Sequence, residues 1–411
     1  MAHVLNAHIF AKERGLEGTP MRILFVDVYD AESVLTWSGT PSRILEELRK
    51  TQEVILCHKL TRIMRGLYIP YVLQCKLRGL GPRLSDRQKL IARHYAYQVR
   101  RAFELHKPDL VFSAGTPFAL AYLPAEVPTA FWGDALMSQL VDFYWPSAKL
   151  HANIIQAGIQ LDKLSIERGR ACIFSSQWAA DAARQFVPEA SDRIFVVPFG
   201  ANSVSDPPPK GPKSLPVNPS QAVEVIFIGK EWDRKGGQDA VDALSILKSE
   251  GYNVRLSIVG ATPFAESLHP DFICQHGFLR RDDEADKQKL QRLCERAHFF
   301  IMPTLAECSP IVFAEAASYG LPIIGRDVGG VSSMMQRDVN GILIGPAGTP
   351  KDLADAIRPL LSDADRYRAM SAASLDLFAR RLNWETAVAH VLEIFKDVLR
   401  AGPSDRKAGS R

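Results

Sequence analysis

Apolar residues along this chain fall into short unbroken bursts, each followed by a longer stretch in which they recur every three or four positions. The first burst, Arg22-Ile-Leu-Phe-Val-Asp27, has the length and continuity of a strand covered on both faces. A polar loop leads to Ser38-Gly39-Thr40-Pro41, which opens a helix over Ser42 to Lys50. Thr40 suits the N-cap and Pro41 the first helical position. Val54 to Cys57 is the next strand. The same alternation predicts a helix around Arg93 to Leu105 and strands at Asp109 to Ser113, Pro128 to Trp132 and Ala171 to Ser175. A helix at Gln177 to Phe186 and a strand at Ile194 to Val197 follow. The pattern then breaks and restarts with strand Val223 to Ile228, helix Gly237 to Ser249 and strand Arg255 to Val259. Helix Lys287 to Arg296, strand Phe299 to Met302, helix Ile311 to Tyr319 and strand Pro322 to Ile324 come next. Trp384 to Leu399 has the periodicity of an amphipathic helix. Strands alternating with helices predict an α/β protein with doubly wound parallel sheets.

The break itself is informative. Residues 206–220 hold six prolines and almost no large apolar side chains, a composition that reads as an interdomain linker. The expected organisation is a leader over 1–20, a Rossmann-like domain over 21–205, the linker over 206–220 and a second Rossmann-like domain over 221–380. A helix over 381–400 that could pack back on the first domain, and a small polar tail over 401–411, complete it. A length of 411 residues accommodates two large domains. Paired sheets of this kind bind ligands at their strand carboxyl ends, in the cleft between them.

Composition narrows the class. Hydrophobic residues at 46% and charged residues at 23% exclude global disorder. The longest uncharged run, Leu110 to Ala125, is 16 residues and is broken by Gly115, Pro117 and Pro124, too short for a membrane span. Lys12, Glu13 and Arg14 stand where a secretory signal would be apolar, and six scattered cysteines show no C-x-x-C pair. Both features point to the cytoplasm and to reduced thiols. The ten histidines show no metal-ligand spacing.

Net charge is +4, yet His58 to Arg101 alone holds eleven Lys or Arg against the single acid Asp86. Basicity this local predicts one surface with an anionic partner rather than a nucleic-acid-binding protein. The cations alternate with Leu60, Ile63, Met64, Leu67, Tyr68, Ile69, Tyr71, Val72 and Leu73, as in an interfacial membrane segment. Pro70, Gly79, Gly81 and Pro82 rule out one continuous helix. Two readings stay open: peripheral contact with an anionic membrane through 58–101, or a charged insertion packing its apolar side on the domain.

Two stretches carry candidate chemistry. In Pro303-Thr-Leu-Ala-Glu-Cys-Ser-Pro-Ile-Val-Phe-Ala-Glu315 a strand ends, a loop presents Glu307, and Ser309 with Pro310 starts a helix as N-cap and first residue. Free N–H groups of such a first turn make an anion site. Glu315 falls between Phe313 and Ala317, and a buried Glu needs a partner. In Phe227-Ile-Gly229-Lys-Glu-Trp-Asp-Arg-Lys235-Gly-Gly a strand runs into a glycine turn with Lys230 and Lys235 over one loop, a pairing suited to a diphosphate. Arg234 could share that role.

Glu307 and Glu315, with seven residues between them, resemble the paired glutamates of the retaining glycosyltransferases of family 4, the glycosyl transferases group 1 of GT-B fold. Glu315-Ala-Ala-Ser-Tyr-Gly-Leu-Pro-Ile-Ile is similar to that family's EA-x-A-x-G-x-P run, and Gly329-Gly330 and Asn340-Gly341 fall where it expects them. The resemblance implies two Rossmann-like domains facing across a cleft. It implies that Glu315 holds the ribose hydroxyls of a sugar nucleotide and Glu307 the hydroxyls of the donor sugar. The N–H groups of Ser309, Pro310's neighbour Ile311, and Val312 would face the sugar and phosphates. The family usually shows Gly-Arg where this chain has Gly229-Lys230, while Lys235-Gly matches its Lys-Gly. Gly39 and Thr40 resemble the glycine loop that approaches the donor phosphates. Asp134 resembles an acidic cleft position, although Gly133 replaces the His that many relatives place before it. Phe199-Gly200-Ala201-Asn202 looks like the family's signature at the interdomain crossover.

These readings converge on an enzyme that moves a sugar from a nucleoside-diphosphate sugar to a glycan, lipid-linked or small-molecule acceptor. Fixed cations and helix-end dipoles would stabilise the departing diphosphate, so neither cofactor nor metal is expected. The only literal D-x-D, Asp363-Ala-Asp365, lies in a polar turn away from these motifs. Rival readings are another GT-B activity such as an epimerase, or a bilobal sugar-nucleotide-binding protein without turnover.

Overall fold

The computed structural model describes residues 19–60, 66, 69–81, 84–203, 207–264 and 270–401. The expected leader up to residue 18, the tail from 402, and residues 61–65, 67–68 and 82–83 of the basic stretch lie outside the described residues. The described residues form two compact units, one comprising those up to Val197 together with those from Ala387 onward, the other those between Pro198 and Thr386.

The first unit is built on strands β1 (Arg22–Val26), β2 (Glu53–Cys57), β3 (Leu110–Ala114), β4 (Thr129–Gly133), β5 (Ala171–Phe174) and β6 (Ile194–Val196). They lie in the order β2-β1-β3-β4-β5-β6, every neighbouring pair parallel. In β1, β3 and β4 the residues are almost all buried, which explains apolar runs without alternation. The helix Trp384–Arg400 contributes Phe395, whose ring meets Phe112 edge-on at 5.1 Å, and Phe112 in turn meets Phe25 at 5.6 Å.

The second unit carries β7 (Val223–Gly229), β8 (Val254–Gly260), β9 (Ile273–Gln275), β10 (Phe299–Met302), β11 (Ile323–Arg326) and β12 (Gly341–Ile344). Their order is β12-β11-β10-β7-β8-β9, again all parallel. Chain order reverses between β7 and β10, so the loops leaving these two strands diverge from a topological switch point. In open α/β sheets that is where ligands bind. The corresponding reversal in the first sheet falls between β1 and β3.

Three differences from the sequence reading have physical causes. The units divide at Val197/Pro198, and the described proline-rich residues 207–220 belong to the second unit rather than bridging two bodies. Lys213 straps that segment down: its backbone N–H donates to Ser371 Oγ at 2.8 Å and its ammonium to the carbonyls of Cys294 at 3.3 Å and Glu295 at 2.5 Å. Secondly, the helix after Gly39 begins at Thr40, with Gly39 itself at the cap in a left-handed conformation, φ 85°. Thirdly, the helix after β10 spans Ile311–Ser318 with Pro310 at the cap, not Ser309. The segment Phe199 to Asn202 runs beside Leu382 to Trp384: Ala201 N–H donates to Leu382 O, and Trp384 Nε1 to Asn202 Oδ1, both at 2.9 Å.

Candidate functional site

The loops leaving β7 and β10 are fastened to each other, and that fastening assembles the charged cluster. After Gly229 the chain folds back through Lys235 N–H to Glu231 O at 2.9 Å and Gly236 N–H to Asp233 O at 3.1 Å. Gly236 has φ +70°, and a Cβ there would lie 2.2 Å from Pro303 O, so only glycine lets the turn seat against the end of β10. Leu305 N–H and Thr304 Oγ1 both donate to Arg234 O, at 2.8 and 3.1 Å. Arg326, 3% exposed, braces the underside by binding Asp239 at 2.5 Å and the carbonyls of Pro346 at 3.0 Å and Gly348 at 2.7 Å.

On this frame Lys235 Nζ pairs with Glu307 Oε2, and Arg234 Nη1 lies 3.4 Å from the same oxygen while donating to Ala306 O at 2.6 Å. Glu307 is 7% exposed, so its charge is held by these two cations rather than by water. Gly330 N–H donates to Glu307 O at 3.0 Å, which ties the Gly329-Gly330 turn to the same loop. Lys230 is exposed and points elsewhere, its ammonium 3.7 Å from the centroid of the half-exposed Phe278 ring.

Glu315, on the helix Ile311–Ser318, is buried and has the partner its burial demands. Arg281 grips it with both arms, Nη1 to Oε1 at 2.6 Å and Nη2 to Oε2 at 3.0 Å. The carboxylate in turn raises the guanidinium's pKa above its ordinary value. Nearby, burial first and the Glu315 charge second push the Cys294 thiol up to about 12, leaving it inert. At the start of that helix Ile311 N–H donates to Ser309 O at 2.9 Å and Phe313 N–H to Pro310 O at 2.8 Å. Not every N–H of the first turn is therefore free for an anion, contrary to the sequence expectation; Val312 sits between these two and is half-buried.

The remaining candidates belong to the first unit. Trp37, Ser38 and Gly39 are successive left-handed residues with φ 44°, 59° and 85°. Gly39 and Thr40 are both buried, and Thr40 Oγ1 has no hydrogen-bond partner among the described residues. Asp134 is half-buried directly after the last residue of β4. Asp363 caps a helix by accepting from Arg366 N–H at 2.9 Å. Among the described residues, Asp30, Glu32 and His58 are the one group whose oxygens and nitrogens lie close enough together to share a metal ion, all within 4.8 Å. Lys59 at 3.0 Å from Asp30 and Arg49 at 3.1 Å from Glu32 already neutralise its carboxylates.

Arg281, Phe278 and Arg326 were not apparent from the sequence. Arg281 lies 34 positions from Glu315, in a charged loop with no periodic signal. Only the requirement that Glu315 have a partner pointed toward it. The assembled site offers two cations at a strand end, one buried carboxylate beside them and a second in an arginine fork. Such a set can hold a phosphorylated, hydroxyl-rich ligand.

Residues 222–363 match the model of the family described as glycosyl transferases group 1. A D-inositol 3-phosphate glycosyltransferase of Xylanimonas cellulosilytica is 29% identical over 52% of this chain and 53% of its own length. A GDP-mannose-dependent α-(1-6)-phosphatidylinositol monomannoside mannosyltransferase of Mycobacterium tuberculosis is 27% identical over 42% of this chain and 47% of its own. The match thus spans about half the length of these relatives. Among solved structures, sucrose-phosphate synthase from Thermosynechococcus elongatus covers 93% of this chain and 100% of its own at 14% identity, with a TM-score of 0.67. Anabaena HepE in complex with UDP and glucose covers 92% and 100% at 18% identity, with a TM-score of 0.57. Likeness at that level of identity fixes the fold, which is GT-B: two Rossmann-like units, each with a six-stranded parallel sheet.

Proposed function

Residues 222–363 match the model of the glycosyl transferases group 1, and from that match we propose that this chain is a retaining, metal-independent glycosyltransferase using a nucleoside-diphosphate sugar. The observation that carries the proposal is the convergence of Lys235 and Arg234 on Glu307 at the switch point of the second sheet. Departure of a nucleoside diphosphate places negative charge on the leaving oxygen. Preorganised cations lower that barrier without a metal. The Lys235 ammonium has three donors, so it can keep Glu307 and still meet a phosphate oxygen. Gly229 and the turn from Ser309 through Pro310 and Ile311 to Val312 complete the phosphate and sugar side, and Lys230 would join them only by leaving the Phe278 ring. Glu307 is assigned the donor sugar and Glu315, oriented by Arg281, the ribose hydroxyls. The Arg281 fork uses part of the carboxylate's acceptor capacity and leaves the remaining lone pairs for a diol.

The donor class draws support from the GDP-mannose dependence in one relative's name and from UDP in a solved neighbour. Phosphatidylinositol in a relative's name makes a lipid-linked acceptor the first to try, with a glycan second. We assign the acceptor to the first unit, with Asp134 as its acidic residue and Gly39 and Thr40 as the glycine loop. Retention follows the resemblance of the glutamate pair.

The test is sugar transfer from a panel of nucleoside-diphosphate sugars, read as nucleoside diphosphate released, with and without EDTA. Activity should survive chelation, and Lys235→Ala should lower turnover on the order of 100-fold or more. Complete loss on chelation, restored by Mn²⁺, would reject the lysine-based mechanism.

A further inference from the structure

The helix Ile69–Leu77 is seated on the first unit by one face and carries its large apolar residues on the other. Cys75 is buried, Tyr71 is half-buried, and the Tyr71 ring meets His151 edge-on at 5.4 Å. Behind them lie Met137, Leu150 and Ile154. The C-terminal end is pinned too: Leu80 N–H donates to Cys75 O at 2.8 Å and Gly81 N–H to Lys149 O at 2.9 Å. The helix is therefore held by its inner face and its C-terminal end, while its outer face stays exposed.

On that outer face stand Ile69, Leu73 and Leu77, exposed by 66%, 55% and 81%. Spaced four residues apart, they share an arc of about 80° at 100° per residue. Lys76 borders the stripe on one edge, and Arg78 follows on the other side of Leu77, both exposed. The helix contains no acidic residue. In an ordinary surface helix the apolar stripe faces the core and the opposite face is polar, whereas this helix turns a second apolar stripe to water.

We propose that Ile69, Leu73 and Leu77 form a docking face for an anionic lipid bilayer, the apolar stripe entering the headgroup boundary and Lys76 and Arg78 meeting lipid phosphates. Charge complementarity selects this occupant. Residues 58–101 carry eleven cations and one acid. Lys59, Arg87 and Arg100 pair with acids outside that stretch, and the positive excess that is left attracts a negatively charged surface and repels a second copy of itself. The proposal does not depend on the reaction proposed above.

The full chain would be sedimented with phosphatidylcholine vesicles that contain or lack phosphatidylglycerol. It should cosediment only with the anionic vesicles, and less as salt rises. The double variant Leu73→Asn/Leu77→Asn alters only exposed side chains and should reduce vesicle binding by roughly tenfold or more, since each leucine withdraws apolar area from the lipid. Lys76→Glu/Arg78→Glu should abolish the preference for anionic lipid. Nucleoside diphosphate affinity should be unchanged in both, which separates failure of this proposal from failure of the enzymatic one. Absence of vesicle binding at low salt would overturn the assignment. So would wild-type binding by the leucine variant, or a concentration-dependent self-association that the leucine variant removes.

Discussion

The loop leaving β1 and the loop leaving β7 occupy equivalent places, each at the switch point of a six-stranded parallel sheet. Yet their chemistry differs. Asp27 to Ser38 contains three acids and no Lys or Arg, and its last two residues, Trp37 and Ser38, are left-handed and lead into the buried, likewise left-handed cap Gly39. Lys230 to Gly236 contains three cations, two of which close onto Glu307. One fold position thus serves two ends: charge in the second unit, tight backbone geometry in the first. The comparison teaches that the topology provides the place for a ligand, whereas the residues grafted on it decide which unit can neutralise a diphosphate.

The largest effect should come from the buried fork. Arg281→Ala strands Glu315 in an apolar pocket and should cost about 3 kcal/mol of stability, near the low end for breaking a buried pair because the guanidinium is partly solvated. Denaturant midpoints would show it, and Arg281→Ala/Glu315→Gln should recover most of the loss. A single variant within about 0.5 kcal/mol of wild type would mean the fork carries no such burden.

The two units should also answer acid in opposite directions. In the first, burial raises Asp162 to about 6 despite Arg87 and the Met137 N–H. A raised carboxylate favours the folded state below the unfolded value near 4 and loses that contribution as pH climbs to 6. In the second, burial lowers His298 to about 4. A depressed imidazole contributes fully above about 6.5 and loses that contribution as pH falls toward 4. Each is worth roughly 3 kcal/mol at full titration. Hydrogen exchange corrected for intrinsic rates should therefore show β10 losing protection between pH 6.5 and 4.5 while the helix Ala152–Arg168 holds. Asp162→Asn should flatten the response of the first unit alone. Parallel loss in both units would contradict the contrast.

The smallest effect concerns Thr40, whose buried hydroxyl lacks a hydrogen-bond partner among the described residues. Thr40→Val should leave thermal stability unchanged or raise it by up to about 1 kcal/mol. A clear destabilisation would show the hydroxyl to be engaged.

Much of the fold was legible because strands buried on both faces leave unbroken apolar runs. β1, β7, β8 and β10 stand within a residue or two of where periodicity puts them. β9, with three residues, is too short to show a period, and β12 hides behind Asn340-Gly341. The helices Ala152–Arg168, Pro350–Ser362 and Ala364–Arg380 were not singled out either. In the site, the motifs flanking β7 and β10 were visible because local spacing encodes them. Arg281 was not, since an ion pair across 34 residues leaves no mark on either segment. The helix starts were misread by one residue because Thr-Pro and Ser-Pro suit a cap equally well, and packing decides between them.

The measurement that bears most directly on the account is nucleoside diphosphate binding by calorimetry to the wild type, Glu315→Ala and Glu307→Ala. Glu315→Ala should weaken binding by roughly tenfold or more, since ribose hydrogen bonds are made in ground and transition states alike. Glu307→Ala should bind within a few-fold of wild type and lose turnover instead, because its partner becomes cationic only as the bond breaks. Unchanged nucleoside diphosphate affinity in Glu315→Ala would contradict the assignment of this site.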